Sequence, residues 1–541
     1  MWQQIYDPLS SSALSAVIAA LPIIIFLLGL TVFKLTGIKA ASISLASALI
    51  IAVAVFHMPW TASLSALTYG ALGGLWPIGW IVLMAVWLYR IAVRAGNFKI
   101  IQDSISAVSA DQRIQVLLIA FCFGGFLEGA AGFGIPIAIC AALLVTLGFD
   151  AIKASVYALI SNAAYGAYGA IGIPVIVGAK QGSVELSALS IEMILTIQLT
   201  TALIPLILVF VQDGIRAVKE TGLIALIIGF VVSGLQALML WTLGPELADI
   251  IPPLIGLVIL ALVMRRWQPA HIYRESGAPE ITSENAPTFT AVEVAKAWSP
   301  FCILSGMILL WSTPFMKALW AVGGPLDFTT IKFSMPYLHQ GILQVAPIVA
   351  EPKPMSAIFS WGILSASGTA IFIAALLTIV TSNITIGAAL QELQGTVKQL
   401  WKPIVMICLV MAVANVMNFG GLSSSIALAV AAAGSIFPLL SPIIGWIGVF
   451  VTGSVVNNNT LFAALQATTA QQIGTSPTLL VASNTTGGVM AKIVSPQSIA
   501  IAAASVGLSG EESKITSAAF KYSVVLLAWT CLWVFALSLV L

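Results

Sequence analysis

The chain has 541 residues, of which 60% are hydrophobic and only 8% charged, with a formal net charge of +2. Soluble domains carry about 25% charged residues, so this composition and a mean hydropathy of +1.06 exclude a water-soluble globular protein. The small positive balance comes with no basic cluster and gives no reason to expect a nucleic-acid partner.

A membrane-crossing helix needs roughly 20 mainly apolar residues. Stretches of that character recur along the whole sequence, at 13–33, 40–57, 71–89, 192–211, 222–242, 250–264, 298–312, 362–380 and 518–541. Adding the apolar material broken by Gly, Ser, Asn and Pro predicts about 12–14 spans or half-spans. The expected fold is therefore an all-α polytopic membrane protein. The N-terminus MWQQIYDPLSSS lacks the positive region of a cleavable signal, so the first span is expected to remain. Lys34 and Lys39 flank one turn, and Arg90, Arg94, Lys99 and Arg113 crowd a later loop. Two spans fit between these clusters, so both can be cytoplasmic, with the N-terminus outside.

Farther along, between Arg113 and Asp150, the only charged residue is Glu128, in EGAAGFGIP (128–136). Gly129, Gly132 and Gly134 disfavour a continuous helix, and Pro136 suits the first turn of a new one. Residues 161–174 read SNAAYGAYGAIGIP. The hydrophilic stretch 265–298 then separates two hydrophobic halves, 1–264 and 299–541. The proline-rich segment 313–358 is predicted to be extramembrane or partly re-entrant. Residues 382–403 read as an amphipathic helix along the interface, with Lys398 and Lys402 toward the head groups, or equally as a connector helix.

In the second half, Lys492 is the one charge between Pro403 and Gly510. Residues 483–496 read SNTTGGVMAKIVSP and share Ser, Asn, one Gly, one Ile and the closing Pro with 161–174, without a gap. Upstream, FLEG (126–129) matches FVTG (450–453). These coincidences point to an internal duplication. Repeats with interrupted apolar segments at matching positions mark the binding site of many transporters.

An ionisable group at membrane depth costs on the order of 2.5–3.5 kcal/mol on insertion scales and is usually functional. The structural alternative is a Glu128–Lys492 ion pair that simply holds the two segments together; buried pairs are poor stabilisers beside apolar packing. Breaks at 128–136, 452–461 (TGSVVNNNTL), 484–498 and 418–425 (NFGGLSSS) expose backbone groups that a membrane tolerates only around a cavity or ligand. Half-helix N-termini there attract anions. The predicted site is a midplane pocket for a small carboxylate. Its candidate substrate-binding residues are Gly132, Gly134, Ser161, Asn162, Asn457, Asn458, Ser483, Asn484, Thr485, Lys492, Ser495 and Gln497. Lys492 is the expected counter-charge for the substrate. Glu128 is the expected proton carrier, since burial favours the neutral form of a carboxyl group.

Several motifs together carry a resemblance: WQQIYDP at the start, GLWPIGWI (74–81), FCFGGFLEGAAGFGIP (121–136), RRWQPA (265–270), LFAALQATTAQQIG (461–474), NTTGGV (484–489) and KIVSPQSIAIA (492–502). The sequence resembles the bacterial L-lactate permease family, proton-coupled importers of 2-hydroxymonocarboxylates. The resemblance implies uptake of L-lactate, or of glycolate or D-lactate, across the cytoplasmic membrane of a prokaryote. Two positions depart from the family pattern. A G-S-D-T-S-type motif is here GSVVN, with Val455 in place of an acid, and FSWGILSASGT lacks an acid before the S-A-T-G-T-like segment. More distantly, the Ser-Asn starts resemble the hairpin tips of sodium-coupled dicarboxylate transporters. That implies two inverted repeats, re-entrant hairpins and an elevator-like carrier, and it keeps Na⁺ beside H⁺ as the coupling ion.

Five cysteines (Cys122, Cys140, Cys302, Cys408, Cys531) lack C-x-x-C spacing and read as small buried hydrophobes, with neither disulfide nor metal site expected. His57, His271 and His339 fall at loops or span ends. No H-E-x-x-H, G-x-S-x-G or nucleotide-binding motif is present, so neither an intramembrane enzyme nor an ATP-driven pump is expected, and no cofactor. The expected partners are the anion, its coupling ion and membrane lipid, with a homo-oligomer left open.

Overall fold

The computed structural model describes residues 1–275 and 289–541, so part of the 265–298 stretch lies outside the described residues. Ten helices among the described residues are long and apolar enough to cross a membrane, and Ile135–Thr146 and Ser367–Thr381 are shorter apolar helices. The predicted spans are present with shifted limits. The 71–89 stretch belongs to Trp60–Arg94, which changes course at Trp76 (φ −131°, ψ 127°), just before Pro77. The 192–211 and 222–242 stretches lie in one run, Leu186–Thr242, broken at Asp213 and Gly214.

Three local expectations need correction. The helix expected at 382–403 does not stand alone. It is the first half of Ile386–Phe419, which runs on through Pro403 and is anchored by Arg90 and Arg94 on Glu392, at 2.9 and 2.8 Å. The hydrophilic break ends before 298, because a capping box between Thr290 and Glu293 starts a helix at Ala291. The cysteines are not uniformly buried: Cys302 is exposed and Cys408 half-buried.

Segment 313–358 holds a short helix, Pro314–Trp320, and short strands. Thr330–Ser334 pairs antiparallel with Ile358–Gly362, and the N-terminal Trp2–Gln3 pairs parallel with Ile342–Gln344. Gln4 Nε2 donates to the carbonyls of Asn418 and Phe419, both at 2.9 Å. Gln472 Nε2 donates to Pro347 O at 3.2 Å. The N-terminus, the strands and the ends of Ile386–Phe419 and Val455–Ile473 therefore share one end of the bundle. Following the helices from there, only Lys180, Lys317, Lys332 and Lys353 belong to this strand-bearing end, and Lys492 lies mid-bundle. The remaining lysines and arginines lie at the other, basic end.

Two hairpins enter the bundle from opposite ends. Gln112–Ala130 and Ile135–Thr146 start and return at the basic end. Phe437–Thr452 and Val455–Ile473 start and return at the strand-bearing end. Each is followed by an interrupted helix: Ala151–Asn162 then Gly169–Gly182, and Pro477–Lys492 then Pro496–Ser505. Sequence chemistry sets the breaks. Gly134 turns the first tip at φ +81°, where a side chain would be strained, and Pro136 follows in the first turn. Ser454 and Ser495 cap the helices after them by accepting from the Asn457 and Ser498 N–H groups, each at 3.3 Å.

Candidate functional site

The tips of both hairpins and both helix interruptions line one cavity of ≈ 80 Å³. Its walls include Glu128, Gly132, Phe133 and Gly134 from the first hairpin, and Gly453, Ser454 and Val455 from the second. Gly166, Gly169 and Pro174 come from the first interrupted helix, and Lys492, Gln497 and Ser498 from the second.

At its centre, Lys492 Nζ donates to Glu128 Oε1 at 2.7 Å, and Asn162 Nδ2 donates to Glu128 Oε2 at 2.8 Å. Both charged residues are buried, at 8% and 2% exposure. An ammonium has three donors, and among the described residues Lys492 uses only this one. The pair depends on a missing side chain. A Cβ on Gly169 would stand 2.5 Å from Glu128 Oε1, and one on Gly166 would stand 2.8 Å from Lys492 Cδ. Beside Gly169 the chain holds Ala170 and Ile171 at φ +47° and +63°. Left-handed backbone at a β-branched residue is strained, and such strain collects at functional sites.

The remaining predicted residues divide into three groups. Gly132, Gly134, Gln497 and, through Ser498, Ser495 belong to this cavity; Ser495 Oγ donates to Ser498 Oγ at 2.9 Å. Asn457 lines a second cavity of ≈ 440 Å³, which contains Lys402 and Gln399 and shares Phe133, Ser454 and Gln497 with the first. The second cavity thus adjoins the site on the side of the basic end. Ser161, Asn458, Ser483, Asn484 and Thr485 do not line the cavity; they are engaged in packing. Ser161 Oγ donates to Ala120 O at 2.6 Å. Asn484 Nδ2 and Thr485 Oγ donate to Asn459 Oδ1 at 2.9 and 3.1 Å, Ser483 bonds Ser441, and Asn458 reaches Asn484 O.

Sequence reading missed Asp249. It is buried, its backbone packs on Gly129 next to Glu128, and Gln236 donates to Oδ1 at 2.8 Å. It stands just ahead of the 250–264 stretch, where a single acid at a span end carries no signal. Gly169 and Ser454 were also missed, since a glycine and a serine among many carry no signal until their neighbours are known. Val455, where the resembled family has an acid, lines the cavity wall.

A many-helix membrane bundle with a charged, broken-helix cavity at its centre defines a polytopic membrane transporter. The L-lactate permease family matches residues 15–541. The chain is 46% identical to the L-lactate permease of Halalkalibacterium halodurans, covering 100% of both chains. It is 42% identical to the glycolate permease GlcA of Escherichia coli, covering 97% of this chain and 96% of that one. Among solved structures, the YdaH transporter of Alcanivorax borkumensis is 15% identical with a TM-score of 0.44, covering 86% of each chain. The chain belongs to the L-lactate permease family and is an integral multi-pass protein of the inner membrane.

Proposed function

We propose that this protein imports L-lactate, or a close 2-hydroxymonocarboxylate such as glycolate or D-lactate, by proton symport. The observation that carries this reading is the Glu128–Lys492 pair, buried at 2.7 Å in a cavity reached by both hairpin tips. In the empty site each charge balances the other. When Glu128 takes up a proton, Lys492 loses its counter-ion and its free donors turn to a substrate carboxylate. One proton and one anion enter together, so the site's net charge does not change and the loaded carrier crosses the membrane uncharged. A single water needs roughly 10–15 Å³ by the same measure, so ≈ 80 Å³ suits an anion of a few heavy atoms. The two substrates named by the relatives are of that size.

Charge distribution supports the orientation: the basic end faces the cytoplasm and the strand-bearing end, with the N-terminus, faces outside. With that orientation, the neighbouring ≈ 440 Å³ cavity on the cytoplasmic side supports an inward-facing state. A hairpin followed by an interrupted helix in each of the halves 1–264 and 299–541, with the hairpins entering from opposite ends, supports inverted repeats. The hairpins are then re-entrant and the carrier elevator-like.

Labelled L-lactate uptake into proteoliposomes tests the reading, with an imposed pH gradient compared with an imposed sodium gradient. Acid outside alone should drive accumulation. Accumulation that requires sodium would overturn proton coupling, and no uptake under either gradient would overturn the substrate.

A further inference from the structure

A third cavity, of ≈ 400 Å³, opens at the strand-bearing end and shares no residue with the Glu128–Lys492 cavity. Lys180, on the second half of the first interrupted helix, and Lys353, on a strand, both line it. So do Gln344, Asn415, Asn418 and Gln471. Among the described residues no carboxylate lines it, and neither lysine has an ion-pair partner. Of the acids on adjoining elements, Glu185 accepts from the Ser187 hydroxyl and Glu192 from Ser476 and Thr478, while Glu351, two residues before Lys353, is exposed and outside the cavity lining.

Lys180 is positioned by its neighbours. Its ammonium sits 5.8 Å from the centroid of the Tyr69 ring, a favourable cation–π distance. A Cβ on Gly73 would stand 3.2 Å from Nζ. Two exposed cations without ion-pair partners in one concave mouth focus a positive field and raise the local concentration of anions. The helix bearing Lys180 also carries Pro174, in the wall of the inner cavity. Six residues at 1.5 Å each put the two sites about 9 Å apart along it. Between them lies a closed layer: Gln181 Nε2 donates to Met411 Sδ at 3.3 Å, and Asn459 Nδ2 to Pro174 O at 2.8 Å.

We propose that this cavity is a second anion site, in which Lys180, helped by Lys353, takes a small monocarboxylate from outside before it passes to Lys492. The proposal rests on the carrier reading above, so it is tested by two readouts, one of which does not need transport.

The first is labelled L-lactate flux in oriented membrane vesicles. Lys180→Gln should raise the influx KM about 5-fold at an unchanged influx Vmax. Since the ratio of Vmax/KM in the two directions is fixed by the gradients, efflux from the basic side should keep its KM and lose about 5-fold in Vmax. Lys180→Arg should restore the influx KM, and Lys353→Gln should shift it the same way by less. An unchanged influx KM, or influx and efflux KM rising together, would overturn the proposal. The second readout is amine-selective acylation of Lys180 in the purified full chain, followed by mass spectrometry. L-lactate and acetate should protect Lys180, and the protection should persist in Lys492→Ala. No protection, or equal protection by chloride at the same ionic strength, would overturn it. Wild-type vesicles that take up no lactate would count against the carrier reading alone, and the labelling result would still decide the outer site.

Discussion

Two buried ion pairs in this chain have opposite designs. At the basic end, Arg113 is fully buried and four of its five guanidinium donors are engaged. It bonds Asp111 twice, at 2.7 and 3.1 Å, Glu220 at 2.7 Å and the His271 carbonyl at 2.7 Å. The Tyr273 N–H closes the group on Asp111 at 3.0 Å, and Glu275 ties Lys153 and the Asp150 N–H to the same strap. Mid-bundle, Lys492 has one bond, glycines for walls and a cavity in front of it. A rigid planar fork with four of its five donors engaged is a fastening. A flexible ammonium with spare donors beside an opening is free to change partners. The first pair holds segment 271–275 to the start of the first hairpin; the second is arranged to be exchanged.

The sharpest way to break this contrast is to remove one member of each pair. Arg113→Ala leaves the buried Asp111 as an uncompensated charge, which costs about 3–5 kcal/mol, while Glu220 keeps Arg216 at 3.3 Å. Thermal unfolding followed by size-exclusion chromatography should show a much less stable, aggregating protein. Lys492→Ala should instead give a monodisperse protein without saturable L-lactate binding, because Glu128 can be neutralised by a proton and still has Asn162 as a donor. If Lys492→Ala aggregates as Arg113→Ala does, while the double variant Glu128→Gln with Lys492→Met is stable, the mid-bundle pair is a fastening too.

The two regions also differ in how far they could be read from sequence. Glu128 and Lys492 were legible because a lone charge in a long apolar run is costly, and the glycines and prolines around them announce broken helices. Their direct pairing was open, since nothing local says that residues 364 positions apart meet. The Arg113 knot was not legible: its partners come from the Leu186–Thr242 run and the hydrophilic strap, and Arg113 looked like one more positive residue at a span end. The Ser483–Asn484 start matches Ser161–Asn162 in sequence but not in use. Asn162 reaches Glu128, whereas Asn484 and Thr485 are taken up by Asn459 of the second hairpin. Pro403 misled at 382–403 because proline ends helices in water, but neighbouring helices in a membrane bundle let the helix continue through it.

The central claim is that Glu128 gives up Lys492 to the substrate when it gains a proton. Glu128→Gln, which mimics the protonated form, tests it most directly in proteoliposomes, with L-lactate counterflow and pH-driven accumulation measured on the same preparation. The account predicts that counterflow persists at or near the wild-type rate while accumulation falls to the equilibrium level. Loss of both to the same degree would contradict it and make Glu128 a binding or structural residue. Survival of both would place the proton on another group, with Asp249 the first to examine.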